Sequence, residues 1–481
     1  MLNKRHRIVD QIYSFSTLLG CHKHKKNEKR NRKRLRRDGL QKEKVQPGAA
    51  CVQPLCGRDR RRGQHPFGGS KYGAGGHDVR EYPSFTEDLL GLVDWLVSLG
   101  ITTVAMESTG VYWLNLYLML EESGIEPYLV NARHVKNVTG RKRDDTDAIW
   151  LQKLHSCGLL QKSFQPESQT RVLRTYVRQR KNLITTGADS VRRMQKALEL
   201  MNIKLHTVIS DILGKTGLQI VEAILKGERD PNELLKLKDP RVHAGDQEIK
   251  KSLEGIWKEE YLFMLQQAYD GYKFYQVQIK ECEEKIKANL FEQTATILEG
   301  DITGVEVKRK KKPKKNQFSF NVQSLLKVVV GVDLCEIEGI SEITALELVS
   351  EIGTDMGKWK NSKHMAAWLN VSPNTKITGG KVISSKMQKK KNHAGQTLRM
   401  AASTLTKSKS PLGDYARKMR ARLGKKGGVV AGAHKLARII YTMIKEQKPY
   451  NTSLMTKDQE KWKAQKIKYL EKQLNELKKA A

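Results

Sequence analysis

The sequence predicts an α/β region followed by a long, predominantly helical region, and three observations carry that prediction. Between Asp78 and Gly158 short β-branched runs alternate with stretches of helical apolar spacing. Beyond Pro166 two long stripes of apolar residues recur at three- and four-residue intervals. After a basic run at Lys308–Lys315 the chain returns to shorter helical segments punctuated by glycine.

Each element follows from its own pattern. Val79–Tyr82 alternates like a strand, and Glu87–Ser98 spaces Leu89, Leu92, Val93 and Leu96 like one helix face. Ile101–Met106 is β-branched and apolar, a strand; Tyr112–Glu122 is a helix, Pro127–Val130 a strand, and a helix runs from about Asp144 to His155. From Pro166 to about Leu213 the sequence reads as long helix, with Val191, Met194, Leu198 and Met201 at 3-4-3 spacing. Tyr261–Phe291 carries a second, heptad-like stripe through Leu265, Ala268, Tyr272, Tyr275, Ile279, Cys282 and Ile286. Together the stripes suit an antiparallel coiled-coil arm, a partner interface or ordinary bundle core. Leu334–Gly353 reads as two helices about the turn Ile337–Ile340, a helix-hairpin-helix-like element with Ser341 in place of its second turn glycine. Helices are also predicted at Gln396–Leu405 and Ala433–Ile444, and an amphipathic one at Trp462–Leu477.

The charge balance narrows the function. With 88 Lys+Arg against 52 Asp+Glu in 481 residues, the formal net charge is +36. Residues 1–70 hold 19 basic and 5 acidic residues, and Lys308–Lys315 is seven cations and one proline. Such clusters displace counterions from phosphate backbones, so nucleic acid is the expected partner. No run of 18 apolar residues occurs, and Leu326–Leu334 is too short to cross a bilayer. Ile12–Cys21 is interrupted by Tyr, Ser and Thr, so no signal peptide is expected and the expected location is cytoplasmic. The six cysteines form no Cys-x-x-Cys pair and read as reduced structural thiols.

Two groups of carboxylates stand out. Glu107 ends an apolar strand, at the carboxyl edge where α/β folds place their sites; the plain alternative is a cap on the next helix. Asp144 and Asp147 lie three apart at a helix start, where acids also serve to complement the helix dipole. Taken together, the three supply hard oxygen ligands suited to Mg²⁺ in phosphodiester chemistry.

These residues sit in motifs that resemble the transposases of the insertion-sequence 110 family: Met106-Glu107-Ser108-Thr109-Gly110-Val111-Tyr112-Trp113, Leu129-Val130-Asn131-Ala132 and Gly140-Arg141-Lys142-Arg143-Asp144-Asp145-Thr146-Asp147-Ala148. The resemblance resumes at Ile337–Gly353, Ala366-Ala367-Trp368-Leu369, Thr378-Gly379-Gly380-Lys381, Leu398-Arg399 and His434-Lys435-Leu436-Ala437, spanning 78 to about 450 in order. It implies an RNase H/RuvC-like N-terminal domain with an Asp-Glu-Asp-Asp Mg²⁺ set, a helical coiled-coil arm, and a mostly helical C-terminal transposase domain that supplies a serine nucleophile. It also implies a structured guide RNA, the bridge RNA, that selects double-stranded donor and target DNA, and a homo-oligomer, dimer or tetramer. Glu107, Asp144 and Asp147 match the last three acids of the set.

The implied division of the chain is a basic arm at 1–75, disordered or frame-shifted; an RNase H/RuvC-like domain at 76–164; a helical coiled-coil region at 165–300; a basic linker at 301–325; the transposase domain at 326–450; and a tail helix at 451–481. Two positions depart from the family pattern. The first acid falls in basic, glycine-rich sequence without a strand pattern, where Asp59 is the candidate; a reading-frame shift upstream of about residue 77 accounts for that break. Asp333, after three valines, is set aside because it lies beyond the coiled-coil region. The nucleophile position holds Thr378, with Ser384 and Ser385 nearby. The expected function is thus RNA-guided cutting and rejoining of DNA; the alternatives are a catalytically inactive nucleic-acid-binding relative and a metal-dependent junction nuclease without a covalent intermediate.

Overall fold

The computed structural model describes residues 49–54, 67–73, 76–131, 144–309 and 312–480, with the side chains of 49–78, of 144–147 and of parts of the last helix outside that description. The chain divides into two compact units, 1–165 and 166–481. Most of it is helix, with one five-stranded sheet and one two-stranded hairpin. Among the described residues no helix is long and apolar enough to cross a membrane.

The first unit is built on a sheet of strands β1 (Ala49–Pro54), β2 (Phe67–Gly73), β3 (Gly76–Tyr82), β4 (Thr103–Glu107) and β5 (Glu126–Val130) in the order β3-β2-β1-β4-β5. The first three strands run antiparallel, and β4 and β5 run parallel to β1. The sheet therefore starts about thirty residues earlier than the sequence pattern predicts. Ala-Ala-Cys-Val-Gln-Pro and Phe-Gly-Gly-Ser-Lys-Tyr-Gly lack period-two alternation, and their strand state comes from pairing: Ala50 with Lys71, and Val52 with Met106.

Helices cover both faces. Helices α1 (Thr86–Ser98) and α2 (Trp113–Glu122) bury Leu92, Leu96, Leu116 and Leu120 with Val104, Met106 and Leu129 of the sheet. Helix α3 (Asp144–Ser156) buries Leu151 and Leu154 against Ala105 and Val130. Successive residues of β4 thus point to opposite cores, and a strand buried on both faces reads as an unbroken apolar run.

The second unit hangs on two long helices, α4 (Ser168–Leu200) and α9 (Glu259–Ile297). They are antiparallel: the Cys282 thiol donates to the Tyr176 carbonyl, Arg180 pairs with Glu283, and Gly187 and Gly271 lie against Tyr275 and Ser190. The two apolar stripes thus pack on each other within one chain. The single long helix predicted to Leu213 instead ends at Leu200, where Met201 is buried and Asn202 takes a positive φ of 58°. Between the long helices, α5 (Leu205–Val208), α6 (Lys215–Leu225), α7 (Pro231–Leu235) and α8 (Asp246–Leu253) close over a cluster of Met194, Ile203, Ile220, Leu234, Leu253 and Leu265.

The stretch expected as a basic linker is fastened at its far end. Phe318 and Phe320 are buried, and the Arg180 guanidinium lies 3.9 Å from the Phe318 ring centroid. Helices α10 (Val322–Val330), α11 (Glu342–Ile352) and α12 (Ser362–Trp368) follow, then strands β6 (Lys376–Thr378) and β7 (Lys381–Ser384). Helices α13 (His393–Leu405), α14 (Pro411–Glu446) and α15 (Ser453–Ala480) complete the unit. The first helix predicted before the Ile337–Ile340 turn is a three-residue 3₁₀ turn, Leu334–Glu336, because Asp333 accepts from the Cys335 amide and caps it.

Candidate active site

Glu107 is the last residue of β4, paired in register with Val130 of β5. Its side chain is 9% exposed, and Oε1 accepts a 2.6 Å hydrogen bond from Thr109 Oγ1. The chain turns sharply after it: Ser108 N donates to Val130 O, Thr109 N donates back to Glu107 O, and Gly110 has a φ of 58°. The Glu-Ser-Thr-Gly motif is thus a turn that supports its own carboxylate. Thr109 was not singled out from the sequence, although its place two residues after Glu107 is the available signal.

Strand alternation decides which way Glu107 faces. Ala105, two residues earlier, packs against Leu151 and Leu154 of α3, so odd-numbered positions of β4 belong to the α3 side. The direction of α3 follows from two contacts: Thr103 Oγ1, at the start of β4, lies 2.9 Å from Nε2 of His155, near the end of α3, and Leu151, a turn earlier, clusters with Ala105 and Val130 further along the strands. The helix therefore runs opposite to β4. From Thr103 to Glu107 the strand rises about 13 Å, and from His155 back to residue 147 the helix rises about 12 Å. α3 and the Glu107 side of β4 thus lie on one face of the sheet, the helix reaching across β1 and β2. The side chains of Asp144 and Asp147 lie outside the described residues, as does Asp59.

β1, the neighbour of β4, reads Ala-Ala-Cys-Val-Gln-Pro and carries no carboxylate. Among the described residues no three His, Cys, Asp or Glu side chains gather at metal-binding distance. The donor chemistry nevertheless suits a hard cation: Glu107 offers oxygen from a rigid strand end, and two more acids begin the adjacent helix.

Thr378 lies in the other unit. It ends β6 and pairs with Lys381 across Gly379-Gly380, whose φ values of 55° and 75° make a two-residue hairpin turn that demands glycine. The paired glycines are the hairpin signal in the sequence. The hairpin is exposed along its length, presenting Ile377, Val382 and Ile383 beside Lys376, Lys381 and Lys386. Ser384 pairs with Lys376, and its Oγ accepts from the Lys386 amide. The return limb is held by Asn370, whose Nδ2 donates to the carbonyls of Gln388 and Lys390 while its own carbonyl accepts from Arg399. Asp333 is spent on structure, accepting from Cys335 N and from Gln323 Nε2.

Two family models match the chain, in the order its motifs suggest. The DEDD-type model of IS110 transposases, described as a transposase, covers residues 77–203. The model described as transposase of the IS116/IS110/IS902 family covers residues 333–417. The DEDD match implies an RNase H-like fold for the unit that holds the sheet. The chain belongs to the IS110 family of transposases. A comparison with curated proteins finds no match.

Proposed function

We propose that this transposase cuts and rejoins DNA at the ends of an insertion sequence through Glu107, Asp144 and Asp147 of its first unit and Thr378 of its second, with a structured guide RNA selecting the donor and target duplexes. The observation that carries the proposal is the buried Glu107 carboxylate at the carboxyl end of β4, on the sheet face that α3 covers. A buried acid at the carboxyl end of a parallel strand, with two more acids in the sequence that begins the helix on the same face, suits metal-assisted phosphodiester chemistry better than a structural role. The RuvC-like character of the domain, the guide RNA and a dimeric or tetrameric assembly rest on the family resemblance.

In this reading Glu107, Asp144 and Asp147 would hold Mg²⁺, which would supply neutralisation of charge at the scissile phosphate. Thr109 orients the Glu107 carboxylate by its 2.6 Å hydrogen bond. Thr378 Oγ1 attacks phosphorus: its O–H proton passes to a base, a threonyl phosphodiester forms, and the P–O bond to the departing strand breaks as that strand leaves with a hydroxyl. Reversal with a different strand hydroxyl rejoins DNA and restores Thr378. Lys376, Lys381 and Lys386, exposed on and beside the hairpin, attract the phosphate backbone.

One observation favours a second reading. β1 offers no acid beside β4, so a relative that binds nucleic acid without cutting it is the competing conclusion. Incubation of the purified protein with Mg²⁺ and a nicked suicide duplex separates the readings. A protein–DNA adduct mapping to Thr378, absent in Glu107→Gln, supports the proposal. Binding without nicking or adduct establishes the inactive relative, and nicking without adduct establishes the metal-only nuclease.

A further inference from the structure

We infer that the corner of α14 around Gly424 is a duplex-DNA docking element, separate from the hairpin that carries Thr378. Gly424 has φ 73° and ψ 175°, which breaks α14 into two arms, 411–423 and 425–446. That conformation favours glycine. The arms close tightly behind the break: a Cβ on Gly428 would stand 2.6 Å from the Arg420 Cα, and one on Gly427 would stand 2.8 Å from the Leu423 Cβ. Gly428 is accordingly buried, while every residue from Arg420 to Lys426 is exposed. Three glycines in five positions therefore fold the chain into a protruding corner of fixed shape.

The corner is strongly cationic. From Tyr415 to Lys445 the chain carries Arg417, Lys418, Arg420, Arg422, Lys425, Lys426, Lys435, Arg438 and Lys445 and no Asp or Glu. Arg417 pairs with Asp414 just before this stretch, but Arg420, Arg422, Lys425 and Lys426 form no ion pair with any described residue. Four cations held on two short arms without counter-charges repel one another unless a polyanion lies between them. Leu423, 52% exposed, stands at the tip between Arg422 and Lys425. A projecting corner with an apolar tip and cations on both sides fits a groove of duplex DNA, the tip entering against bases or sugars and the flanks meeting phosphates of the two strands. A single strand offers no such pair of walls. The matched family stretch ends at residue 417, so the corner lies just beyond it.

The inference rests on the proposed action on DNA, and the test keeps the two apart. Binding of the full-length protein to a labelled DNA duplex is measured by fluorescence anisotropy across a salt series, for wild type, for R420Q/R422Q/K425Q/K426Q, and for K425Q/K426Q beside the charge-matched K466Q/K468Q on α15. A single-stranded RNA of the same length is titrated in parallel. The expected result is a loss of duplex affinity of about tenfold or more in the quadruple variant and a log–log salt slope shallower by about three to four. K425Q/K426Q should weaken duplex binding more than K466Q/K468Q, with less effect on the RNA. Equal losses in the two pairs, an unchanged slope, or loss confined to RNA would overturn the docking element while leaving the proposed site intact. Failure of wild type itself to bind duplex DNA would overturn both.

Discussion

Arg178 and Glu351 are joined by a two-pronged ion pair, Nε to Oε1 at 2.7 Å and Nη2 to Oε2 at 2.8 Å, although 173 residues separate them. Arg174, one turn earlier, donates to the carbonyls of Ser350 and Glu351, two of the last carbonyls of α11 that lack a partner inside the helix. Lys181, one turn later, pairs with Glu347. One basic row on α4 thereby holds the acidic end of α11. Glu351→Ala should cost about 2–3 kcal/mol, since it leaves two arginines without their shared acceptor. Arg178→Lys should recover only part of the pair, because an ammonium cannot bridge both oxygens. Urea titration followed by circular dichroism checks both.

The buried Arg180–Glu283 pair predicts a different pattern. Both side chains are largely buried, and Arg180 also donates to the Asn316 carbonyl. Either single change to an apolar residue should cost about 3–5 kcal/mol by stranding a charge, whereas Arg180→Met with Glu283→Leu should cost far less than the sum. A double-mutant cycle in denaturant measures the coupling.

Acid should loosen both units through histidine. Burial is the leading cause that lowers the pKa of His155, His393 and His434 below the ordinary 6.5. The folded state therefore favours the neutral rings, so their contribution is present above about pH 6.5 and is lost as the pH falls through the depressed values. Tm should decline from pH 7.5 to pH 5, and His434→Gln should flatten part of the decline in differential scanning fluorimetry.

Thr109 tests the carboxylate turn. Thr109→Val removes the hydrogen bond to Glu107 and should lower DNA processing by about tenfold, while Thr109→Ser should retain most of it. Equal rates for the two variants would show that Glu107 does not depend on this partner.

The hairpin gives the remaining prediction. Gly380→Val places a β-branched residue at a φ of 75° and should cost about 1–2 kcal/mol locally, seen as faster amide exchange across 376–384. Adduct formation at Thr378 should fall with it.

The sequence revealed those parts of the molecule whose residues declare themselves locally. Leu92, Leu96, Val104 and Leu129 recur at helix and strand periods, so α1, α2, β4 and β5 fall within one or two residues of their predicted limits. β1 and β2 were hidden because their sequences carry no period and owe their state to partners in the sheet. The site was legible in the same uneven way. Glu107 announced itself at a strand end, whereas the opposed directions of β4 and α3 depend on Thr103 meeting His155 across 52 residues. Asn370, which staples the hairpin from a positive φ of 54°, has no sequence signal at all.

The antiparallel pairing of α4 and α9 means that the chain leaves the base of the second unit and returns to it along the same track. Everything from Ser190 round to Gly271 is an excursion whose two ends already lie side by side. Such an excursion can be lengthened or shortened by matched heptads on both helices without moving Arg180, Glu283 or the helices they brace. The arm is in effect a ruler, about 50 Å long for the 33 residues of α4, whose reach evolution or an engineer can reset independently of the chemistry at its base.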